Sequence, residues 1–264
     1  MMHRSILPLD RVISITVVGV GGNGSHMAFG LARLHLALKA LGHPGLSVTL
    51  VDPDEVSESN VVRQLFMPQE LGCNKAIAMA QRLNVIYGLS FEAVPTTASI
   101  AEEFLRNSSI IIGCVDNAKG RAQIRSVYKR TYNTYWLDLG NRNSDGQYIL
   151  GCNQKTESWL PSVVDYYPSI VRKSKDDDDV PSCSIAESLG RQELFVNQAV
   201  TVHALNLLWR LFRYRDLESA GGLVNLVSGR VLPIPIDFQS WRRNNPAMVV
   251  PYHARLAHKR ASVK

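Results

Sequence analysis

Closely spaced glycines follow an apolar stretch near the start of the chain. The segment VVGVGGNGSHMAFGLARL, residues 17–34, contains Gly19-x-Gly21-x-x-Gly24, with Gly22 as a fourth glycine inside the turn. This pattern is typical of a strand-to-helix turn whose backbone N–H groups face a pyrophosphate, and glycine lets the backbone come close to an anion. The turn therefore predicts a phosphate ligand and by itself leaves the cofactor open; the alternative is a glycine turn without a ligand.

The loop after the second predicted strand combines acidic, amide and cationic side chains. Asp52 ends that strand, where an acid commonly binds the ribose of a dinucleotide, but the ribose of ATP carries the same hydroxyls. The rest of the segment VDPDEVSESNVVRQLF supplies Asp54, Asn60, Arg63 and Gln64, and Lys75 opens the next helix. Two cations exceed what a pyrophosphate held by backbone donors needs, and they suit a triphosphate that is held and split.

A third group of polar residues follows the fourth predicted strand. The segment SIIIGCVDNAKGR places Asp116 and Asn117 at the carboxyl edge of the sheet, on the same rim as the glycine turn. A carboxylate at this position can hold Mg²⁺ against phosphates. Each residue also has a plain structural alternative, such as a helix cap for Asp116 and Asn117, but their joint spacing favours a nucleotide site.

The hydrophobic pattern predicts the elements that position these residues. Residues 12–20 and 46–52 are continuous apolar runs, typical of strands buried on both faces of a parallel sheet, and 24–42 has the length of a helix. Further strands are predicted over 91–96, 109–116, 134–140 and 147–152, and helices over 75–86, 100–106 and 117–131. The sequence therefore predicts an α/β fold with a Rossmann-like, doubly wound, mainly parallel sheet.

The second half of the chain changes character after Cys152. We predict a single domain over 1–250, with a nucleotide-binding half over 12–152, a long crossover loop over 153–185, a C-terminal helix and hairpin within 186–237, and a basic tail over 251–264. The helix is expected over 186–214 and to bury Leu194 and Val202. The hairpin is expected over 223–236, around Ser228-Gly229.

Composition argues against three classes of protein: nucleic-acid-binding, membrane-spanning and disulfide-rich. The chain has 264 residues, of which 45% are hydrophobic, and a formal net charge of +6, an excess too small to indicate nucleic-acid binding. No apolar run approaches the roughly 20 residues of a membrane span. The four cysteines are dispersed and form no C-x-x-C pair, so no disulfide framework is indicated. We expect a cytoplasmic protein without membrane segments.

Together these motifs resemble the ThiF/MoeB/HesA superfamily of ubiquitin-activating-type adenylating enzymes, most narrowly the ThiF-family proteins of the PRTRC gene system. The resemblance covers roughly residues 12–215. It implies that ATP is bound by the glycine turn and by Asp52, Asn60, Arg63, Gln64 and Lys75, and that Asp116 holds magnesium. It also implies a reaction in which the C-terminal carboxylate of a small ubiquitin-like β-grasp protein reacts with ATP to give an acyl-adenylate and pyrophosphate.

Cys183 is a further candidate, in the segment VPSCSIAESL that precedes the predicted C-terminal helix. The segment resembles the crossover-loop cysteine of ubiquitin-activating enzymes, and a helix N-terminus stabilises a nearby thiolate. The resemblance implies that Cys183 accepts the activated acyl group, and the alternative is a small buried filler beside a serine cap.

Two features of the family are missing from this sequence. Paired C-x-x-C zinc ligands are absent, so no zinc is expected. Many members also begin with an arginine-bearing helix that reaches into a partner subunit, whereas this chain enters its first strand almost at once, so a homodimer stays open. The competing classes are a nicotinamide- or flavin-dependent oxidoreductase and a non-catalytic nucleotide-binding scaffold.

Overall fold

A computed structural model describes residues 2–8, 10–154, 156, 158–172 and 192–255. The strands are β1 His3–Arg4, β2 Ile13–Val18, β3 Leu46–Val51, β4 Glu92–Val94, β5 Ile110–Gly113, β6 Tyr135–Asn141, β7 Asp145–Cys152, β8 Asp216–Leu217, β9 Ser219–Asn225 and β10 Arg230–Pro235. The helices are α1 Gly22–Ala40, α2 Lys75–Tyr87, α3 Glu102–Arg106, α4 Ala118–Tyr128, α5 Val163–Tyr166, α6 Val196–Arg213 and α7 Phe238–Asn244.

Eight of the described strands form one sheet in the order β10-β9-β7-β6-β5-β2-β3-β4. The strands from β6 to β4 are parallel, whereas β7, β9 and β10 extend the sheet in antiparallel fashion. Strand order reverses between β2 and β5, which is where doubly wound sheets bind ligands. The predicted Rossmann-like, mainly parallel sheet is confirmed.

Local capping fixes the loops that border this switch point. Asn74 caps α2 by accepting N–H bonds from Ala76 and Ile77, and its own amide donates to the carbonyls of Asp52 and Asp54 at 2.9 and 3.0 Å. The acidic loop after β3 is therefore tied to the first turn of the next helix.

The C-terminal helix is shorter than the sequence pattern predicts and faces the core differently. The described helix α6 begins at Val196, so Leu194 precedes it, and Val202 is 55% exposed. Its buried side contains Val196, Val200 and Ala204. Because a helix turns about 100° per residue, Val202 points to the side opposite Val200. The expectation that Leu194 and Val202 are buried was wrong, since Leu194 is also exposed, at 38%.

Several short elements lie where the sequence predicted none. The first part of the predicted crossover loop contains α5 and a 3₁₀ helix over Pro168–Val171, while residues 173–185 lie outside the described residues. Helix α7 follows the hairpin and places the fully buried Trp241 against Trp159. Among the described helices, none has the length and apolar character required to span a bilayer.

Candidate functional site

The turn between β2 and α1 depends on two close backbone approaches. Gly19 has φ of +88°, a conformation that L side chains rarely adopt, and a Cβ there would lie 2.9 Å from the carbonyl oxygen of Cys114. A Cβ on Gly24 would overlap the carbonyl of Gly19. These two glycines therefore let the turn fold tightly against α1 and the loop after β5.

The other two glycines of the turn face side chains rather than backbone. A Cβ on Gly22 would lie 2.6 Å from Nδ2 of Asn197 on α6, and a Cβ on Gly21 would lie 3.7 Å from Nε2 of Gln64. Asn197 and Gln64 are buried, and both line the cleft above the turn. The atoms Asn197 Nδ2 and Gln64 Oε1 have no hydrogen-bond partner among the described residues.

Asp52 holds the turn in place through its carboxylate. Its Oδ2 accepts the N–H of Val20 at 2.5 Å, and its Oδ1 accepts the N–H of Asp54 at 2.8 Å. Burial raises the pKa of Asp52, against the opposing effect of the nearby Lys75 ammonium and of the two backbone N–H bonds. Asp52 also lines the cleft, and each carboxylate oxygen retains capacity for another hydrogen bond.

Lys75 lies at the first position of α2 with its ammonium directed to the same loop. Its Nζ is 3.2 Å from Oδ2 of Asp54, and its side chain is largely buried while that of Asp54 is exposed. Both residues line the cleft. Arg63, also in the cleft wall, donates from Nη1 to Oε1 of Gln192.

Asp116 and Asn117 stand on the opposite wall, at the start of α4. Asn117 caps that helix, since its Oδ1 accepts the N–H of Gly120 at 2.8 Å, and its Nδ2 donates to Oδ1 of Asp116 at 3.0 Å. Both residues are exposed to the cleft. Asn117 therefore both caps α4 and lines the cleft.

These side chains line one cleft of about 1470 Å³ at the carboxyl edge of the sheet. It brings together the following predicted site residues: Gly19, Gly21, Gly22, Asp52, Asp54, Arg63, Gln64, Lys75, Asp116 and Asn117. Two other predicted site residues, Asn60 and Gly24, do not line the cleft. The side chain of Asn60 accepts the N–H of Ser57 at 3.0 Å, and Gly24 packs against Gly19. Cys183 lies outside the described residues.

Sequence reasoning missed a buried ion pair in the cleft wall. Nε of Arg121, on α4, lies 3.2 and 3.3 Å from the two carboxylate oxygens of Asp138 on β6, and Nη2 donates to the carbonyl of Leu139 at 3.3 Å. Asp138 is a charged residue inside the apolar run YWLDLG, which signals a buried charge. Nothing in the sequence pattern, however, pairs it with Arg121, 17 residues earlier. Asn197 was missed because the pattern of α6 predicts only packing.

Within the part of the chain that the structure describes, the cysteines and acids do not assemble a metal site by themselves. Within the described residues no group of three or more His, Cys, Asp or Glu side chains is placed to hold a metal ion. Cys114 and Cys152 have pKa values raised by burial, that of Cys152 to about 12, whereas Cys73 is exposed.

The sequence profile of the ThiF family matches residues 8–231, most of the chain. The chain belongs to the ThiF family. Similar proteins include ubiquitin-like modifier-activating enzyme 6 of Mus musculus, 28% identical over 181 residues, which cover 66% of this chain and 16% of that protein. Ubiquitin-like modifier-activating enzyme 5 of Drosophila ananassae is 28% identical over 142 residues, covering 48% of this chain and 33% of that protein.

This ThiF-family chain also shares its fold with two solved structures. PaaA superposes with a TM-score of 0.60 at 18% identity, covering 85% of this chain and 73% of PaaA. MccB of E. coli superposes with a TM-score of 0.58 at 14% identity, covering 85% of this chain and 64% of MccB. The chain spans only a small part of the length of the two modifier-activating enzymes, so these relatives describe a shared domain.

Proposed function

We propose that this chain binds ATP at the glycine turn and adenylates the C-terminal carboxylate of a small ubiquitin-like β-grasp protein. The observation that carries the proposal is the convergence of three kinds of group on one cleft. These are the N-terminus of α1, the cations Arg63 and Lys75, and the carboxylate of Asp116. A helix N-terminus favours an anion, and paired cations favour a triphosphate.

Unpaired buried amides beside the turn support a polar ligand in the same place. Burying an amide without a hydrogen-bond partner costs free energy, and both Gln64 Oε1 and Asn197 Nδ2 are in this condition next to Gly21 and Gly22. In the proposal these atoms bind the nucleotide, and Asp52 accepts a hydrogen bond from its ribose.

The chemistry requires charge stabilisation rather than a side-chain base. A C-terminal carboxyl is ionised at neutral pH, so its oxygen attacks the α-phosphorus of ATP directly while the bond from that phosphorus to the pyrophosphate oxygen breaks. Arg63 and Lys75 offset the negative charge on the phosphate oxygens. Pyrophosphate leaves with the bonding electron pair, and the acyl-adenylate remains in the cleft.

Mg²⁺ fits the donor set at the cleft in its usual mode. It is commonly held by one or two carboxylates together with substrate phosphates and water, and Asp116 offers a carboxylate exposed to the cleft. When bound, the ion would neutralise charge on the triphosphate.

The names of the relatives support the class of partner. Two of the similar proteins are ubiquitin-like modifier-activating enzymes, and the proposal assigns a partner of this class here. Transfer of the acyl group to Cys183 and membership of the PRTRC gene system remain proposals based on the sequence.

The test is ATP–pyrophosphate exchange with purified small β-grasp proteins that carry a free C-terminus. We expect exchange that depends on the partner and is lost in Arg63→Ala and in Asp116→Ala, while Asp10→Ala, at an exposed position away from the cleft, retains it. Near-normal exchange in both cleft variants would contradict the assigned site.

A further inference from the structure

The positive charge of the chain is concentrated at its C-terminal end. Residues 238–264, which we call the basic segment, contain six of the 29 Lys and Arg residues and no Asp or Glu. The preceding residues contain the other 23 cations and all 23 acids, so the formal net charge of +6 comes entirely from this segment. The small excess that argues against nucleic-acid binding is an average over the whole chain, whereas a polyanion responds to a local cluster of cations.

Apolar side chains hold the described part of the basic segment, residues 238–255, on the domain. Four of them are buried in the main hydrophobic core: Trp241, Met248, Val250 and Ala254. Trp241 packs edge-on against Trp159, with ring centroids 5.6 Å apart, and Nδ2 of Asn245 donates to the carbonyl of Asp165 at 2.7 Å. The segment is therefore folded onto the domain, which gives its charges a defined place on the surface.

The cations of the same stretch face solvent. Arg242 and Arg243 are exposed in the last turn of α7, and Arg255 is exposed as well. Within the described residues none of the three forms an ion pair, and Asp237 caps the opposite end of α7. Because a guanidinium binds phosphate through two parallel hydrogen bonds, these side chains suit a phosphate-bearing polymer.

An exposed aromatic ring lies close to Arg255 in the sequence. Tyr252 is 64% exposed, and the ring of the neighbouring His253, also exposed, lies 5.8 Å from it between centroids. Such a ring offers a stacking surface to an unpaired base. The bases of a duplex are already stacked on one another, so the ring favours a single strand.

The burial of the segment argues against an anionic membrane as its ligand. A helix that binds a membrane surface inserts an apolar face into the lipid. Here Trp241, Met248 and Val250 are buried in protein, and the exposed large apolar side chains of the described part of the segment are Val249 and Tyr252. An acidic protein surface would pair with the arginines but would give the exposed tyrosine no partner.

We propose that the basic segment is a binding surface for single-stranded nucleic acid, with its arginines contacting phosphates and Tyr252 stacking on a base. Residues 256–264 add three cations by sequence. Among residues 238–255 none lines the nucleotide cleft, so the proposal does not depend on the proposed function. DNA and RNA single strands share this chemistry, and the experiment separates them.

The test measures fluorescence anisotropy of labelled strands of about 20 nucleotides, longer than a typical site of about 4–16 nucleotides. Single-stranded DNA, single-stranded RNA and a DNA duplex of the same length are compared, with the full chain and without ATP. We expect at least one single strand to bind at least about tenfold more tightly than the duplex at low ionic strength, with affinity falling as salt rises.

Two double variants test the contribution of the arginines. Arg242→Gln/Arg243→Gln should weaken binding at least about tenfold and lower the slope of log K against log salt concentration by about 1.4, at roughly 0.7 for each phosphate contact. Arg33→Gln/Lys39→Gln removes the same charge from exposed positions of α1 and should change neither quantity. Equal losses in the two double variants would overturn the proposal.

A matched pair of single variants tests the stacking contact. Tyr252→Ala should weaken single-strand binding at least about fivefold, the lower end for one stacked base, without changing the salt slope. Val249→Ala, at a side chain that is 84% exposed, should leave binding unchanged. Equal effects of these two changes, equal affinity for the duplex, or no binding of either single strand would overturn the proposal. Binding to vesicles of anionic lipid but to neither strand would assign the basic segment to a membrane instead.

Discussion

Arg121 contacts both carboxylate oxygens of Asp138 in the wall of the cleft, from a helix to the neighbouring strand. The guanidinium also donates to the carbonyl of Leu139, and its Nη2 would lie 3.0 Å from a Cβ on Gly140. One buried side chain therefore links α4, which carries Asn117 as its cap, to Gly140 on β6.

This ion pair predicts a specific pH dependence of stability. Burial raises the pKa of Asp138 from 3.8 to about 6, and Arg121 only partly opposes the shift. The native state therefore retains a proton that the unfolded chain releases, so stability from this group is full below about pH 3.8 and is lost as the pH rises through about 6. The neutral variant Asp138→Asn should gain in free energy of unfolding relative to wild type over that interval.

Urea denaturation at a series of pH values checks this expectation. The difference between Asp138→Asn and wild type should change between about pH 4 and pH 6 and be constant above pH 7. Asp10→Asn, at an exposed carboxyl, serves as the control. A difference for Asp138→Asn that is constant across the whole range would contradict the assigned pKa.

Gly22 and Asn197 should be energetically coupled. A methyl group at Gly22 would meet the buried amide of Asn197, so Gly22→Ala should lower the free energy of unfolding by about 1–3 kcal/mol. The loss should be smaller in an Asn197→Ala background, where the obstacle is removed, and unchanged in a Val202→Ala background at an exposed position of the same helix. Additive losses in the first double variant would show that the two residues do not meet.

The residues that were predictable from the sequence carry local signals. The glycine turn follows one buried strand, and the acid, amide and cation residues follow others, so the parallel sheet alone brings them to one edge. Two other features, the contact of Arg121 with Asp138 and that of Asn197 with Gly22, depend on packing between separate elements. Their register and packing are set by tertiary structure, which leaves no periodic trace in the chain.

Cys183 should accept the acyl group after adenylation. Cys183→Ser should retain ATP–pyrophosphate exchange and lose any adduct with the β-grasp partner that a reducing agent cleaves, because serine is a much weaker nucleophile at neutral pH. Cys73→Ser is the matched control, since Cys73 is exposed. A non-reducing gel measures the adduct. Active exchange without any wild-type adduct would place the end of the reaction at the adenylate or at another nucleophile.

The cleft beside the glycine turn is proposed to bind a nucleoside triphosphate, and the melting temperature with ATP and Mg²⁺, compared with that with NADH, tests this assignment most directly. A ligand that binds only the native state at one hundred times its Kd adds about 2.7 kcal/mol of stability. We predict that ATP with Mg²⁺ raises the melting temperature of the wild type, that Arg63→Ala reduces this rise, and that NADH gives none. Equal stabilisation by NADH, or no stabilisation by ATP, would contradict the account.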